Sequence, residues 1–329
     1  MKSPINGKEM VRFKEPRKLT YRKEEFSFIF HGYRCVDSKQ QFTTTTLGNV
    51  NLFQIYNQYR EKYNLPFPDE IKAIRKKYEL SALKMSKILG FGVNVYRNYE
   101  NGEVPNLSNG KLIRLIDKPK QFKTLVQLSN GLKEKAKIKL LHKIDTLLEK
   151  ESAPVFGNFT NAYLPGELSG YKTFDEHKFT EMVIYFAKQI QPWKTQLNKL
   201  LFYADFLMFS KHCTSISGIR YRAINMGPVP QNYNSLFEQL ANQNSIDIKS
   251  IAFGNGAIGE QFYLKADQQL NTTVFTETEF TILQLVVKKF KPFNTQQLID
   301  YSHKEKAWLE NRDEKKLISY RFAFDLNDF

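Results

Sequence analysis

Asn94, Arg97 and Asn98 stand at spacing i, i+3 and i+4 in the stretch ILGFGVNVYRNYENGEVP, residues 88–105. Two carboxamides and a guanidinium on one helical stripe offer donors and acceptors suited to base edges in a major groove, and a cation suited to phosphate. On the opposite stripe Val93, Tyr96 and Tyr99 or Glu100 return at the same spacing and are expected to pack inward. Gly90 and Gly92 allow a tight turn before this short helix, and Gly102 ends it. A helix over 82–89, ALKMSKIL, precedes the turn and brings Lys84 and Lys87 in as further candidate DNA contacts. The pattern reads as a helix-turn-helix, and equally as an ordinary pair of helices joined by a glycine turn.

Charge bears on the choice. Residues 1–150 hold 30 Lys and Arg against 15 Asp and Glu, whereas the remainder holds 19 of each sign. The whole excess of +15 therefore lies in the N-terminal half, where it can neutralise phosphates and release counterions, although a solvated lysine face kept for solubility has the same composition. The neutral C-terminal half must recognise something else, if it recognises anything.

Other chemistry finds little support. Cys35 and Cys213 are too few for a disulfide framework and suit a reducing compartment. His31 with Cys35, and His212 beside Cys213, each offer two ligands where structural zinc takes four, so no metal and no cofactor is expected. The five histidines, His31, His142, His177, His212 and His303, lie apart with no evident triad partner, and His303 within SHKEKAW is the one of most interest. The phosphate-loop, zinc-protease and nucleophile-elbow motifs are missing, which argues against an enzyme. GNGAIG at 254–259 satisfies G-x-G-x-x-G, yet IDIKSIAF before it and EQFYLKA after it read as strands, so a hairpin loop is expected rather than a dinucleotide cradle.

The elements that must position these residues can be read along the chain. A length of 329 residues with 41% hydrophobic and 25% charged residues describes a globular protein of two or three domains. No apolar stretch follows the charged start and no run is long enough to span a bilayer, so the expected location is the cytosol, with no membrane partner. Residues 1–25 read as a basic, mobile arm, and 26–46 as two or three short strands. Helices are expected from Asn51 and over 69–79, and a basic amphipathic helix over 133–151 that could contact another protein or a second protomer. The interval 152–170, with Pro154 and Pro165, reads as a linker. Further on, Leu197, Leu200, Leu201, Ala204 and Leu207 or Met208 make a helical core stripe. Tyr203 and Asp205 beside it read as exposed partner contacts, and Tyr203 equally as a buried, hydrogen-bonded tyrosine. GPVP at 227–230 reads as a rigid turn, and Trp308 as either an interface anchor or a core aromatic. The fold class that results is mainly α with small β elements.

The segment LSALKMSKILGFGVNVYRNYENGEVP resembles the Xre-type helix-turn-helix, and with the preceding NLFQIYNQYREKYNLPFPDEIKAIRKKYEL it is similar to antitoxins of the MqsA type. In that family a zinc ribbon precedes the helix-turn-helix. By position, Asn94 matches a family asparagine that contacts operator bases, and Asn98 falls where the family has arginine, which Arg97 partly replaces. The ribbon's paired cysteines are missing here and Cys35 alone remains, so the resemblance does not carry the metal over.

GYKTFDEHKFTEMVIYFAK at 170–188, LNKLLFYADFLMFSKHCTSISGIRYRAINMGPVP at 197–230 and SHKEKAW at 302–308 resemble the SocA-like, or Panacea, domain, a module that neutralises toxins. The resemblance implies a degenerate, metal-free MqsA-like region with its arm at 1–62, a helix-turn-helix at 63–118, a helical connector and linker at 119–170, and a helical Panacea domain with a short antiparallel sheet at 171–329. It implies an antitoxin that binds a cognate protein toxin, represses its own operon and forms a homodimer. Tyr203, Asp205, Arg220, Tyr221, Pro228, His303 and Trp308 are the candidate toxin contacts. A DNA-binding regulator with a different C-terminal partner is the alternative, and an enzyme a third.

Overall fold

The computed structural model describes residues 1–149, 164–254 and 258–327. The chain divides into two compact units, one of Met1–Gln54 with Asn158–Phe329 and one of Ile55–Gly157. It is mainly helical with small antiparallel sheets, as the sequence leads one to expect. Among the described residues no helix is long and apolar enough to cross a membrane.

The first unit opens on a long hairpin, β1 (Val11–Tyr21) and β2 (Glu24–Arg34), to which β3 (Gln41–Phe42) adds. Residues 11–21 are thus a strand and not a mobile arm. Their density of charge and Pro16 read as an arm, but β1 is an edge strand, where proline leaves no internal ladder bond unmade and charged side chains stay in water. Arg22 and Lys23 form the turn, both with positive φ (49° and 69°), the backbone that a two-residue hairpin needs. Helix α1 (Thr45–Lys62) follows, and its first part lies on β2 through two side-chain amides. Asn51 accepts the His31 N–H (2.8 Å) and donates to the His31 carbonyl (3.0 Å). Gln54 does the same with Ile29 (3.0 and 2.8 Å).

The same unit continues with α8 (Glu176–Ile190) and α9 (Lys194–His212). Every residue of α9 from Gln196 to Phe209 is buried, so this helix is the axis of the core and the expected stripe is only part of it. The hairpin β4 (Tyr221–Ile224) and β5 (Gly227–Pro230) comes next, then α10 (Tyr233–Asn242) and the hairpin β6 (Asp247–Ala252) and β7 (Ile258–Tyr263). The strands around GNGAIG are therefore as expected, and residues 255–257 of that loop lie outside the described residues. Helices α11 (Glu277–Phe290), α12 (Thr295–Ser302) and α13 (Lys306–Leu309) and strand β8 (Leu317–Ile318) complete it, with sheet order β5-β4-β8. GPVP is strand β5 rather than a turn. Its two prolines are tolerated because β5 is an edge, and the turn is made by Asn225 and Met226.

The second unit is helical: the rest of α1, then α2 (Pro68–Lys77), α3 (Ala82–Ile88), α4 (Val95–Glu100), α5 (Leu107–Ile116), α6 (Pro119–Leu128) and α7 (Glu134–Glu149). Pro68 opens α2, Asp69 and Glu70 fill its first turn and Arg75, Lys76 and Lys77 its last, in keeping with the helix dipole. Of the interval read as a linker, residues 152–163 lie outside the described residues.

Candidate nucleic-acid interface

The second unit is built around Ile71, Ile74, Tyr78, Met85, Tyr96, Ile113 and Phe122, on which the two short helices α3 and α4 are seated. Ser81 starts α3 by accepting the Lys84 N–H (3.3 Å). Gly90, at φ 70°, takes the left-handed position that ends it. Tyr96 then locks α4 in place. Its N–H donates to the buried Ser86 hydroxyl (3.2 Å) and its own hydroxyl to the Ile71 carbonyl (2.8 Å), while burial pushes the phenol well above its ordinary pKa. Tyr99 stands edge-on to Phe91 and accepts from the Asn109 amide (2.9 Å). At the far end Glu100 takes a two-pronged pair from Arg75 (2.5 and 3.1 Å), and Arg75 also donates to the Leu80 carbonyl (2.9 Å).

With that face fixed, the opposite one is open. Asn94, Arg97 and Asn98 of the second helix and Lys84 and Lys87 of the first are all exposed. Asn94 is the N-cap of α4 and makes no capping bond with its side chain, so its carboxamide is not spent on the helix end. Val93 departs from the expected inward stripe: it is 66% exposed, and Val95 packs against the core in its place. The helix starts two residues later than its glycine turn suggests, so Val93 lies in the turn before it and Val95 joins Tyr96 and Tyr99 on the inward side. Ser86 and the Arg75–Glu100 pair, which set the orientation of α4, have no spacing signature that would have singled them out.

The seven candidate contacts of the other unit are brought together, but mostly inside it. Asp205 is fully buried in α9 and accepts four hydrogen bonds: from Ile216 N–H (2.7 Å), Ser217 N–H (2.8 Å), Ser217 hydroxyl (2.5 Å) and Tyr221 hydroxyl (2.8 Å). Tyr203 is buried and donates to Glu305 (3.2 Å), with its ring 4.6 Å from that of Phe290. Pro228 is buried and its carbonyl accepts from Lys199 (3.1 Å), whose ammonium is itself fully buried and drawn down to a pKa of about 7 by loss of water. Trp308 is buried, donates to the Ile224 carbonyl (2.7 Å) and stacks flat on His303 at 3.8 Å. Arg220 and His303 are half-buried. So the polar groups of these motifs clamp α9, the β4–β5 hairpin and α13 to one another. What stands exposed beside them is Met226 (48%) on the hairpin turn and Leu309 (42%) next to Trp308, apolar residues that the motif reading passed over.

Comparison with known proteins bears on both units. The profile of the antitoxin SocA-like, Panacea domain matches residues 197–309, the span of these clamps. The profile of MqsA, antitoxin component of a bacterial toxin–antitoxin system, matches residues 1–127, which include α3 and α4. The chain is also 32% identical over 91 residues to the antitoxin MqsA of Escherichia coli (strain K12), across 27% of this chain and 69% of that protein. The helix-turn-helix and its exposed amide and cation face are thus found within a region shared with a known antitoxin, and a second antitoxin module follows it: the chain belongs to the MqsA antitoxin family.

Proposed function

We propose that this antitoxin works as a type II antitoxin with two tasks. Residues 171–329 bind and mask a cognate protein toxin encoded nearby, and the helix-turn-helix at 63–118 binds the operator of the shared operon. The carrying observation is that one chain joins two antitoxin modules, matched at 1–127 and 197–309, with all of its excess positive charge in the first 150 residues. Asn94, Arg97 and Asn98 would meet bases and phosphates in the major groove, with Lys84 and Lys87 on the backbone. A homodimer would set two such helices on the half-sites of a palindrome. Both tasks are binding, and neither calls for catalysis. On the toxin side, Tyr203, Asp205, Tyr221, Pro228 and Trp308 would shape the contact surface from beneath, and the toxin would touch Met226, Leu309, His303 and Arg220.

The test is a neighbouring open reading frame expressed with and without this protein, from an independent promoter. It should be lethal alone and harmless when paired. In the double variant Asn94→Ala/Arg97→Ala each lost base contact should cost about 1 to 3 kcal/mol, so repression should collapse while rescue persists at matched expression. Loss of rescue in that variant, with its fold intact, would place toxin binding on the DNA-reading face and end the two-task reading. A harmless neighbour would favour a regulator with another partner.

A further inference from the structure

Two loops close the base of the β1–β2 hairpin, and their backbones follow one scheme. In the first, Ser3 N–H donates to Lys8 O (2.8 Å) and Gly7 N–H to Ser3 O (2.9 Å); in the second, Cys35 N–H donates to Gln40 O (2.9 Å) and Lys39 N–H to Cys35 O (3.0 Å). The fourth residue after each start is left-handed, Gly7 at φ 71° and Lys39 at φ 59°. The third turns its side chain back on the loop: Asn6 Oδ1 accepts from Lys8 N–H (3.1 Å) and Ser38 Oγ from Gln40 N–H (3.4 Å). S-x-x-N and C-x-x-S are therefore two copies of one turn. They face each other, since the Ser3 hydroxyl lies 3.5 Å and the Asn6 amide nitrogen 3.7 Å from Cys35 Sγ. Across the rim Asp37 takes the Asn6 amide (2.7 Å) and the Lys8 ammonium (2.9 Å).

Two turns, each offering two side chains separated by two residues, are the arrangement with which proteins hold tetrahedral zinc when the four are cysteine or histidine. The donors present do not fit that ion. Ser3, Asn6 and Ser38 bring neutral hydroxyls and an amide where zinc takes deprotonated thiolates or imidazoles, and among the described residues no three His, Cys, Asp or Glu converge as ligands. The same side chains instead satisfy the buried sulfur as hydrogen-bond donors. Bonds from Ser3 and Ser38 draw the Cys35 thiol down to about 6, the direction expected of a sulfur surrounded by donors. Ser3 and Cys35 are both buried, so water does not take over this role.

We propose that the two loops are the framework of a metal site in which hydrogen bonds centred on Cys35 have replaced the metal cross-link, and that restoring three thiols would restore metal binding. The hairpin base then folds without an ion, and its stability does not depend on metal supply.

The test uses the full-length chain. The native protein should contain no stoichiometric zinc by elemental analysis and should melt at the same temperature with and without chelator. The reduced variant Ser3→Cys/Asn6→Cys/Ser38→Cys should take up about one cobalt(II), with the intense absorption of a tetrahedral thiolate site, and its melting temperature should rise with metal. The double variant Asn6→Cys/Ser38→Cys adds one thiol to each turn and leaves Ser3 in place. It should bind cobalt more weakly, and guards against a triple variant that only misfolds. About one zinc per native chain would overturn the proposal. So would the failure of both variants to show cobalt–thiolate absorption.

Discussion

Replacing Lys199 with methionine removes a fully buried ammonium from the C-terminal core while keeping an unbranched chain of similar length. Lys199 is fully buried, its nitrogen donates to the Pro228 carbonyl at 3.1 Å, and burial alone draws its pKa from 10.5 to about 7. Its charge, after burial, helps to hold the pKa of His303 below the ordinary imidazole value. Because the folded pKa is the lower one, the unfolded chain binds more protons between about pH 7 and 10.5, and stability must rise with pH across that window. At 1.36 kcal/mol per unit the full cost of keeping the charge, below pH 7, is about 5 kcal/mol, of which about 2 kcal/mol is recovered between pH 7 and pH 9. Lys199→Met should therefore be more stable than the native chain at pH 7 by up to about 4 kcal/mol, less whatever the lost bond to Pro228 contributes. The difference should shrink as pH rises. Urea denaturation at pH 7, 8 and 9, following the transition of the C-terminal unit, measures both quantities. A difference that stays constant with pH would mean that Lys199 keeps its proton throughout and that its carbonyl contact outweighs its burial.

Three further outcomes follow from the geometry. Tyr96→Phe removes the side-chain donor to the Ile71 carbonyl inside the core of the helical unit, and should lower the unfolding free energy by about 1 kcal/mol; an unchanged urea midpoint would show that this bond adds nothing to the carbonyl's helical one. Asp205→Ala strips four buried donors of their common acceptor, so it should cost several kcal/mol, about 3 or more, and abolish toxin rescue through misfolding; a soluble variant with native near-ultraviolet dichroism and full rescue would contradict the clamp. A double-mutant cycle on Arg75 and Glu100, whose side chains are 19% and 9% exposed, should give a coupling of about 1 to 3 kcal/mol in thermal or urea unfolding, and strict additivity would mean the pair does not hold α4.

The helices of the second unit are legible in the sequence because their signals are local. A proline, a serine cap and three glycines mark the ends of α2, α3 and α4 within a few residues of where they fall. The exposure of Val93 is not legible, since it depends on where α4 begins, and Ser86, ten residues before Tyr96, helps to fix that start. In the other unit polarity misleads. Tyr203 and Asp205 look like surface residues of an amphipathic helix, but their partners lie 102 and 11 to 16 residues away and exist only once the chain has folded. A run of motif residues also records what holds a fold together as readily as what touches a partner. Strand β1 shows the converse error: its charges and proline look like disorder, and only pairing with β2 across all eleven positions reveals a strand.

The paired bonds from Asn51 and Gln54 of α1 to His31 and Ile29 of β2 also settle how this sheet can meet other chains. A strand edge with free N–H and C=O groups is a template for another strand, and here two carboxamides occupy it as a neighbouring backbone would. Because the two amides sit three residues apart on one helix turn, they accept β2 in one register only; a slip by one residue would present the wrong face of the strand and strand both amides. The other edge, β1, carries Pro16 and the charges of Arg12, Lys14 and Lys18, which oppose a flat, apolar addition. Other protein chains are thus steered away from merging through this sheet, and any association is left to helices, turns and side chains, where it can be undone.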